Sequence, residues 1–347
     1  MKTFSLILLL PLFLSAGSAE FTEGYVYSKL EDHFCTTEIE FDVLEDKIVI
    51  YSWPKEINSC VIKEYLETVC DFPAEVDITY VPDAPLSEPF GEHNLLPELS
   101  PYFPTMLAQP HMLGYSAGYR TYDKVFKFAL LPVSIGDQFS LYQFKTVKYG
   151  QLYFGMEACV WAVFEARAQS LSLINADYYV AFPFTYINDA FAARLRVYHQ
   201  SSHLGDEYLL ENEIDRLNPS MEVIDLSLAY DFYPNLTAFL GYGYVMRSDE
   251  SYRVKPNHVF YGFNYYFDYF KVCILKGEAT PYFAAFFQNN ENNNWGLDTT
   301  IALGYQWNKP CGYKIRAFIE AHDGYEPEGQ FSKKKSRYCA IKIMYGY

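Results

Sequence analysis

AARLRVYHQSSHLGDEY, Ala192–Tyr208, alternates like a β-strand and then runs through His199-Gln200-Ser201-Ser202-His203 into an acidic stretch. The two faces of this strand decide the fold. Successive side chains point to opposite sides. Ala193, Leu195 and Val197 therefore form one set, and Arg194, Arg196 and Tyr198 the other. In a membrane barrel the assignment is forced, because an Arg facing lipid costs about 2–4 kcal/mol at mid-bilayer. The arginines then point into the lumen. His199 and Ser201 continue the apolar set and face lipid near the rim.

The next strand repeats the pattern in the opposite direction. Ile224, Leu226, Leu228 and Tyr230 form its apolar face, and counting back by twos adds Glu222, Ser220 and Asn218 at the same rim. Asp225 and Asp231 fall on the inward set, where they can pair with Arg194 and Arg196. Such pairs fill a narrow lumen and argue against a wide pore.

The rest of the chain fits this reading. Aromatic residues are 19% of the sequence, with 33 Tyr and 28 Phe, a load suited to the interfacial girdles of a transmembrane β-barrel. From His111 on, segments of alternating polarity are expected near 111–121, 124–134, 150–165, 174–184, 189–201, 219–233, 236–247, 257–268, 276–288, 294–307, 312–322 and 336–347. The fold expected is an all-β barrel of about twelve antiparallel strands over 111–347, an even number that brings both ends to the periplasmic side. A soluble all-β fold is the alternative. Short turns at 186–189, 233–235 and 308–312 and longer connections at 202–218, 248–256, 288–294 and 323–335 alternate as a barrel requires. Two connections break the rule: the one near 121–123 is too short and 135–149 too long.

The N-terminus supplies an address. Residues 1–19 read as a secretory signal: Lys2, an apolar run from Phe4 to Leu14, then small residues. The run is shorter than the about 20 residues of a membrane helix. The chain's last strand ends on Ile343, Tyr345 and Tyr347, which resembles the terminal strand signal of bacterial outer-membrane barrels. The location expected is the bacterial outer membrane, with lipid as a partner. A net charge of −16 argues against nucleic acid as a partner, since that needs basic patches.

Residues 20–81 read as a small α+β periplasmic domain of order α-β-β-α-β. Its first helix carries Tyr27, Leu30 and Phe34, its second Val61, Tyr65, Leu66 and Val69, and VDITYV makes its last strand. This order resembles the BON module, with Asp46 where that module usually has a glycine. Residues 82–110, punctuated by Pro82, Pro85, Pro89, Pro97, Pro101, Pro104 and Pro110, read as an extended linker. There are 7 Cys, at 35, 60, 70, 159, 273, 311 and 339. In an exported chain they are expected to form disulfides, inside or between chains, with unpaired buried thiols as the alternative; the odd one is available to another envelope protein, to a second copy in a homodimer, or as a free thiol.

The polar rim cluster resembles the lipid-face site of outer-membrane phospholipase A and lipid A deacylase, which carry a His-x-Ser pair and a third Asn or Glu. The resemblance rests on His199-Gln200-Ser201. Ser202 stands where those enzymes usually have Asn or Gly. It implies that Ser201 attacks an acyl ester, that His199 takes the proton, and that a third group holds the imidazole tautomer. Glu222 and Asn218 fit the face argument for the third place, and Glu213 can reach in from the loop. The plainer reading is that His199 bonds lipid headgroups and that His203, Asp206 and Glu207 fold the loop around Gly205.

Asp206, Glu207 and Glu213 also offer hard oxygen ligands for Ca²⁺, without the spacing of an EF-hand. The string YHQSSHLGDEYLLEN resembles the hallmark of a bacterial family of outer-membrane-type proteins known as a domain of unknown function. The function expected is a structural or narrow-channel envelope component, with the lipid-face ester hydrolase as its alternative.

Overall fold

A computed structural model describes residues 26–27, 29–30, 33–34, 39–44, 47–54, 57, 59–69, 73–76, 92–97, 103–121, 123–146, 150–168, 170–212, 217–274, 277–308 and 313–346. The expected signal peptide lies outside them. The chain divides into two compact units, Met1–Glu88 and Pro89–Tyr347.

In the first unit, helical residues around Val26 and Leu30 precede β1 (Glu40–Val43), β2 (Ile48–Ser52), α1 (Ser59–Val69) and β3 (Ala74–Val76). β1 pairs antiparallel with β2, and β2 parallel with β3. Val26, Leu30, Phe41, Ile48, Ile50, Ile62 and Leu66 form the core. The buried stripe of α1 is the i, i+4 pair Ile62–Leu66, and Val61, expected inside, is 47% exposed. Tyr27 likewise points outward beside the buried Val26. Most of the expected last strand, residues 77–81, lies outside the described residues.

The second unit opens with β4 (Glu92–Leu95). From Tyr115 the strands are β5 (Tyr115–Thr121), β6 (Leu130–Thr146), β7 (Gly150–Glu165), β8 (Leu173–Asn188), β9 (Phe191–Leu204), β10 (Ser220–Tyr233), β11 (Leu236–Ser248), β12 (Asn257–Tyr266), β13 (Val272–Ile274), β14 (Gly277–Asn290), β15 (Leu297–Asn308), β16 (Lys314–Tyr325) and β17 (Lys335–Gly346). All but the short β13 close into one twelve-stranded antiparallel barrel, sealed by the β12–β14 and β17–β5 pairings. Closure leaves no strand edge to be satisfied by solvent, the condition for a sheet to cross a bilayer. Among the described residues no helix is long and apolar enough to cross a membrane.

The outer surface carries the apolar belt that lipid demands. Leu195, Val197, Leu226, Leu228, Leu240, Ile301, Leu303, Ile341 and Ile343 all point outward at alternate positions. Tyr230, Tyr242, Tyr244, Tyr305 and Tyr345 share that surface.

Strand β6 differs from expectation and repairs the two irregular connections. It spans Leu130–Thr146 instead of 124–134, so the β5–β6 connection runs 122–129 and the β6–β7 connection only 147–149. Gly136 sits inside the strand opposite Cys159, and the position takes glycine because a Cβ there would meet Cys159 Sγ at 2.4 Å.

The range read as a linker, 82–110, is not one free segment. β4 pairs with the β6 residues Tyr142–Lys145. Phe103, Met106, Leu107, Ala108 and Met112 lie inside the barrel against Phe239, Phe260, Tyr282, Phe286, Phe318 and Met344. The plug is also bonded to the wall: Leu107 N donates to Asn264 Oδ1 (3.2 Å), Asn264 Nδ2 to Thr105 O (2.7 Å) and Trp161 Nε1 to Met112 O (3.0 Å). Apolar residues in a water-filled lumen would be exposed, and burying them against the wall stabilises the plug by about 25 cal/mol per Å². The first barrel strand accordingly starts at Tyr115, after the plug.

Cys159, Cys273 and Cys339 form no disulfide within the chain. All three are free thiols, and Cys159 is buried in the wall where no partner chain can reach it. Cys35, Cys70 and Cys311 lie outside the described residues.

Candidate functional site

The β9–β10 register sets Glu222 opposite His199 and Ser220 opposite Ser201. His199 Nδ1 lies 3.2 Å from Glu222 Oε1, with both side chains partly exposed on the outer surface. Ser201 is on the same face, flanked on β8 by Tyr178. Among the described residues no hydrogen bond joins His199 to Ser201. Arg247 Nε approaches the other Glu222 oxygen at 4.0 Å. Asn218 is drawn away from the cluster: its Nδ2 donates to Asp249 Oδ2 (3.1 Å) and its backbone N to Ser251 Oγ (3.1 Å). The structure thus brings together His199, Ser201 and Glu222 and leaves Asn218 in the neighbouring loop.

The acidic stretch forms the short helix α2 (Asp206–Asn212), with Asp206 and Glu207 in its first turn, where negative charge suits the helix N-terminus. Glu207 accepts from Ser170 Oγ at 3.0 Å. Hydrogen bonds from Ser172 and Ser170 hold its carboxyl below the ordinary Glu range. Glu213 lies outside the described residues. The entry into α2 requires Gly205, since a Cβ there would strike the Leu173 carbonyl at 1.8 Å.

The inward face of the same hairpin carries a network of buried ion pairs. Arg196 bonds Asp225 Oδ2 (2.6 Å) and Glu157 Oε2 (3.2 Å), and Arg194 lies 3.4 Å from Glu157 Oε1. Tyr179 Oη donates to Glu157 Oε2 at 2.8 Å. Asp231, expected to join the arginines, instead accepts from Thr237 Oγ1 on the neighbouring strand and is exposed. Glu157 takes its place. Its sequence signal was a single carboxylate in the otherwise apolar β7 run FGMEACVWAV.

Ser202, next to the motif serine, is 1% exposed and points inward. Its Oγ donates to Asn175 Oδ1 (3.0 Å) and accepts from Gln330 N (3.1 Å), while Gln330 Nε2 donates to the Ser202 carbonyl (2.7 Å). Asn175 Nδ2 donates to Asp177 Oδ1 (2.8 Å), and Gly329 N donates to Asp177 Oδ2 (2.9 Å). The inner side of the motif therefore latches the 326–334 loop to the barrel wall. Polar Asn175 and Asp177 two apart in the apolar β8 were the available signal. Inside, a cavity of about 310 Å³ is lined by plug residues such as His111, by Trp161, Tyr179, Arg196 and His258, and by loop residues such as Lys255 and Glu326.

A closed twelve-stranded barrel with an apolar outer belt and a polar, plugged interior defines an outer-membrane-type β-barrel protein. The family model described as Protein of unknown function (DUF1207) matches residues 86–347, and the chain belongs to that family. Among solved structures it is similar to the Salmonella typhi outer membrane phospholipase dimer with bound calcium, at 12% identity and a TM-score of 0.49, covering 69% of this chain and 95% of that one. Outer membrane phospholipase A from Escherichia coli gives 11% identity, a TM-score of 0.47 and coverage of 69% and 95%. The KdgM porin in complex with disordered oligogalacturonate gives 12%, 0.40 and coverage of 68% and 99%. No curated protein matches the sequence.

Proposed function

We propose that this protein is a closed structural component of the outer membrane that holds a small polar solute at its loop end and does not conduct. The observation that carries this reading is the plug: Leu107 and Ala108 are fully buried inside the barrel, and Asn264 bonds the same segment at Thr105 and Leu107. The cavity beside it is large enough for a small ligand. Its walls mix aromatic rings with charged groups. In planar bilayers the intact chain is expected to give no conductance steps. Leu107→Asp buries an unpaired charge and is expected to expel the plug and open steps. Steady open-channel steps from the unaltered protein reject the closed reading and favour the narrow channel.

A second reading is favoured by the contact of His199 with Glu222. Ser201 would attack a lipid acyl carbonyl while His199 takes its proton, and Glu222 would stabilise the resulting imidazolium. The missing His199–Ser201 hydrogen bond weighs against it, although such bonds often tighten only with substrate. Fatty-acid release from phospholipid or lipid A that is lost in both His199→Ala and Ser201→Ala supports the hydrolase. No release from the unaltered protein removes it.

A further inference from the structure

The strongest unassigned feature lies where three distant segments meet: the plug, strand β8 and the 326–334 loop. His111 Nε2 is 3.7 Å from Asp177 Oδ2 and 3.7 Å from Glu328 Oε2, and the three ligand atoms lie within 4.8 Å of one another. The geometry points to a binding site for one divalent transition-metal ion, of the zinc or manganese class, held by His111, Asp177 and Glu328.

Several observations carry this. His111 Nε2 is a buried nitrogen without a hydrogen-bond partner. Its ring is fixed by stacking on Trp161, with centroids 4.6 Å apart and planes 8° off parallel. The carboxylates are aimed by Asn175, whose Nδ2 bonds both Asp177 (2.8 Å) and Glu328 (3.4 Å). Asn175 is itself oriented by Ser202. Metal sites depend on such supporting bonds. Tetrahedral ligands at about 2.1 Å from zinc are about 3.4 Å apart, so the two His–carboxylate spans need to close by a few tenths of an ångström, and the carboxylate–carboxylate span, which lies within 4.8 Å, by up to about 1.4 Å.

Charge gives an independent reason. Four buried carboxylates, Asp123, Asp177, Glu326 and Glu328, gather around one guanidinium, Arg120, and the His111 ring. The nearby Lys342 is taken by Glu320 at 2.8 Å. Buried negative charge in excess is costly unless a cation answers it. One imidazole with two carboxylates suits a transition ion, whereas Ca²⁺ and Mg²⁺ prefer oxygen alone. Bound there, the ion would tie the plug to the wall and to the closing loop.

The test uses the full chain folded in detergent, stripped with chelator and then dialysed against Zn²⁺ or Mn²⁺ with Ca²⁺ in excess. One equivalent of Zn²⁺ or Mn²⁺ per chain is expected to remain and to raise the unfolding temperature. His111→Gln and Asp177→Asn are expected to abolish retention, and Asn175→Ala to weaken it by about 10- to 100-fold. His111→Gln leaves the carboxylate network intact and decides the matter if Asp177→Asn does not fold. No retained metal, retention unchanged in His111→Gln, or displacement by Ca²⁺ overturns the proposal.

Discussion

The two faces of the β9–β10 hairpin are one residue apart in sequence and opposite in energetics. Inside, Arg194, Arg196, Asp225 and Ser202 are largely buried and each is held by named partners. Outside, His199, Ser201 and Glu222 are partly exposed, and His199 meets Glu222 at 3.2 Å. A buried charge must be answered within the protein, whereas the rim group can turn to water or a headgroup. Chemistry at the rim and architecture in the lumen are thus written on alternate positions of one strand.

The largest effect expected from breaking the inner face comes at Glu157. Glu157→Ala leaves both Arg194 and Arg196 short of a partner, and removing one member of a buried pair costs about 3–5 kcal/mol. Denaturant unfolding from lipid vesicles should show that loss. A loss below about 1 kcal/mol would mean that the lumen is wet enough to solvate the arginines.

The adjacent serines give a sharper contrast. Ser202→Ala strands Asn175 Oδ1 and the Gln330 amide and is expected to cost about 1–3 kcal/mol and loosen the 326–334 loop. Ser201→Ala, on the rim, should change stability by less than about 0.5 kcal/mol. Equal effects at both positions would erase the distinction between the faces.

Those faces were legible because lipid enforces a period of two. The alternation fixed the outward set Leu195, Val197, His199 and Ser201, and counting by twos on the next strand reached Glu222, which the register sets opposite His199. Interior partners were harder. Glu157 meets Arg196 from 39 residues away, and its signal, one carboxylate in an apolar run, is shared by Asp231, the wrong choice. The plug was invisible for another reason: Phe103, Met106, Leu107 and Met112 lie among prolines with no strand or helix period, so their burial depends on a lumen built by residues far along the chain. The metal triad is assembled from three such segments and has no motif.

The smallest effect expected is a pH dependence in the outer loop. Glu207 has a lowered pKa because Ser172 and Ser170 bond its ionised form. A depressed carboxyl contributes stability that is fully present above the unfolded value, about 4.3, and is lost as pH falls through the lower folded value. Proteolysis of the α2 loop should therefore speed up below that range. Ser172→Ala should move the onset up toward the ordinary Glu value, and an unchanged onset would remove the serines as the cause.

The central claim is that Phe103–Leu113 is a packed plug and not a linker, and amide hydrogen exchange across that segment tests it most directly. Leu107 N is bonded to Asn264 and Gln109 N to the Met106 carbonyl. Exchange at those amides in the folded full chain is expected to be slowed to the level of the barrel strands. Exchange at the rate of an open, solvated chain would contradict the closed barrel.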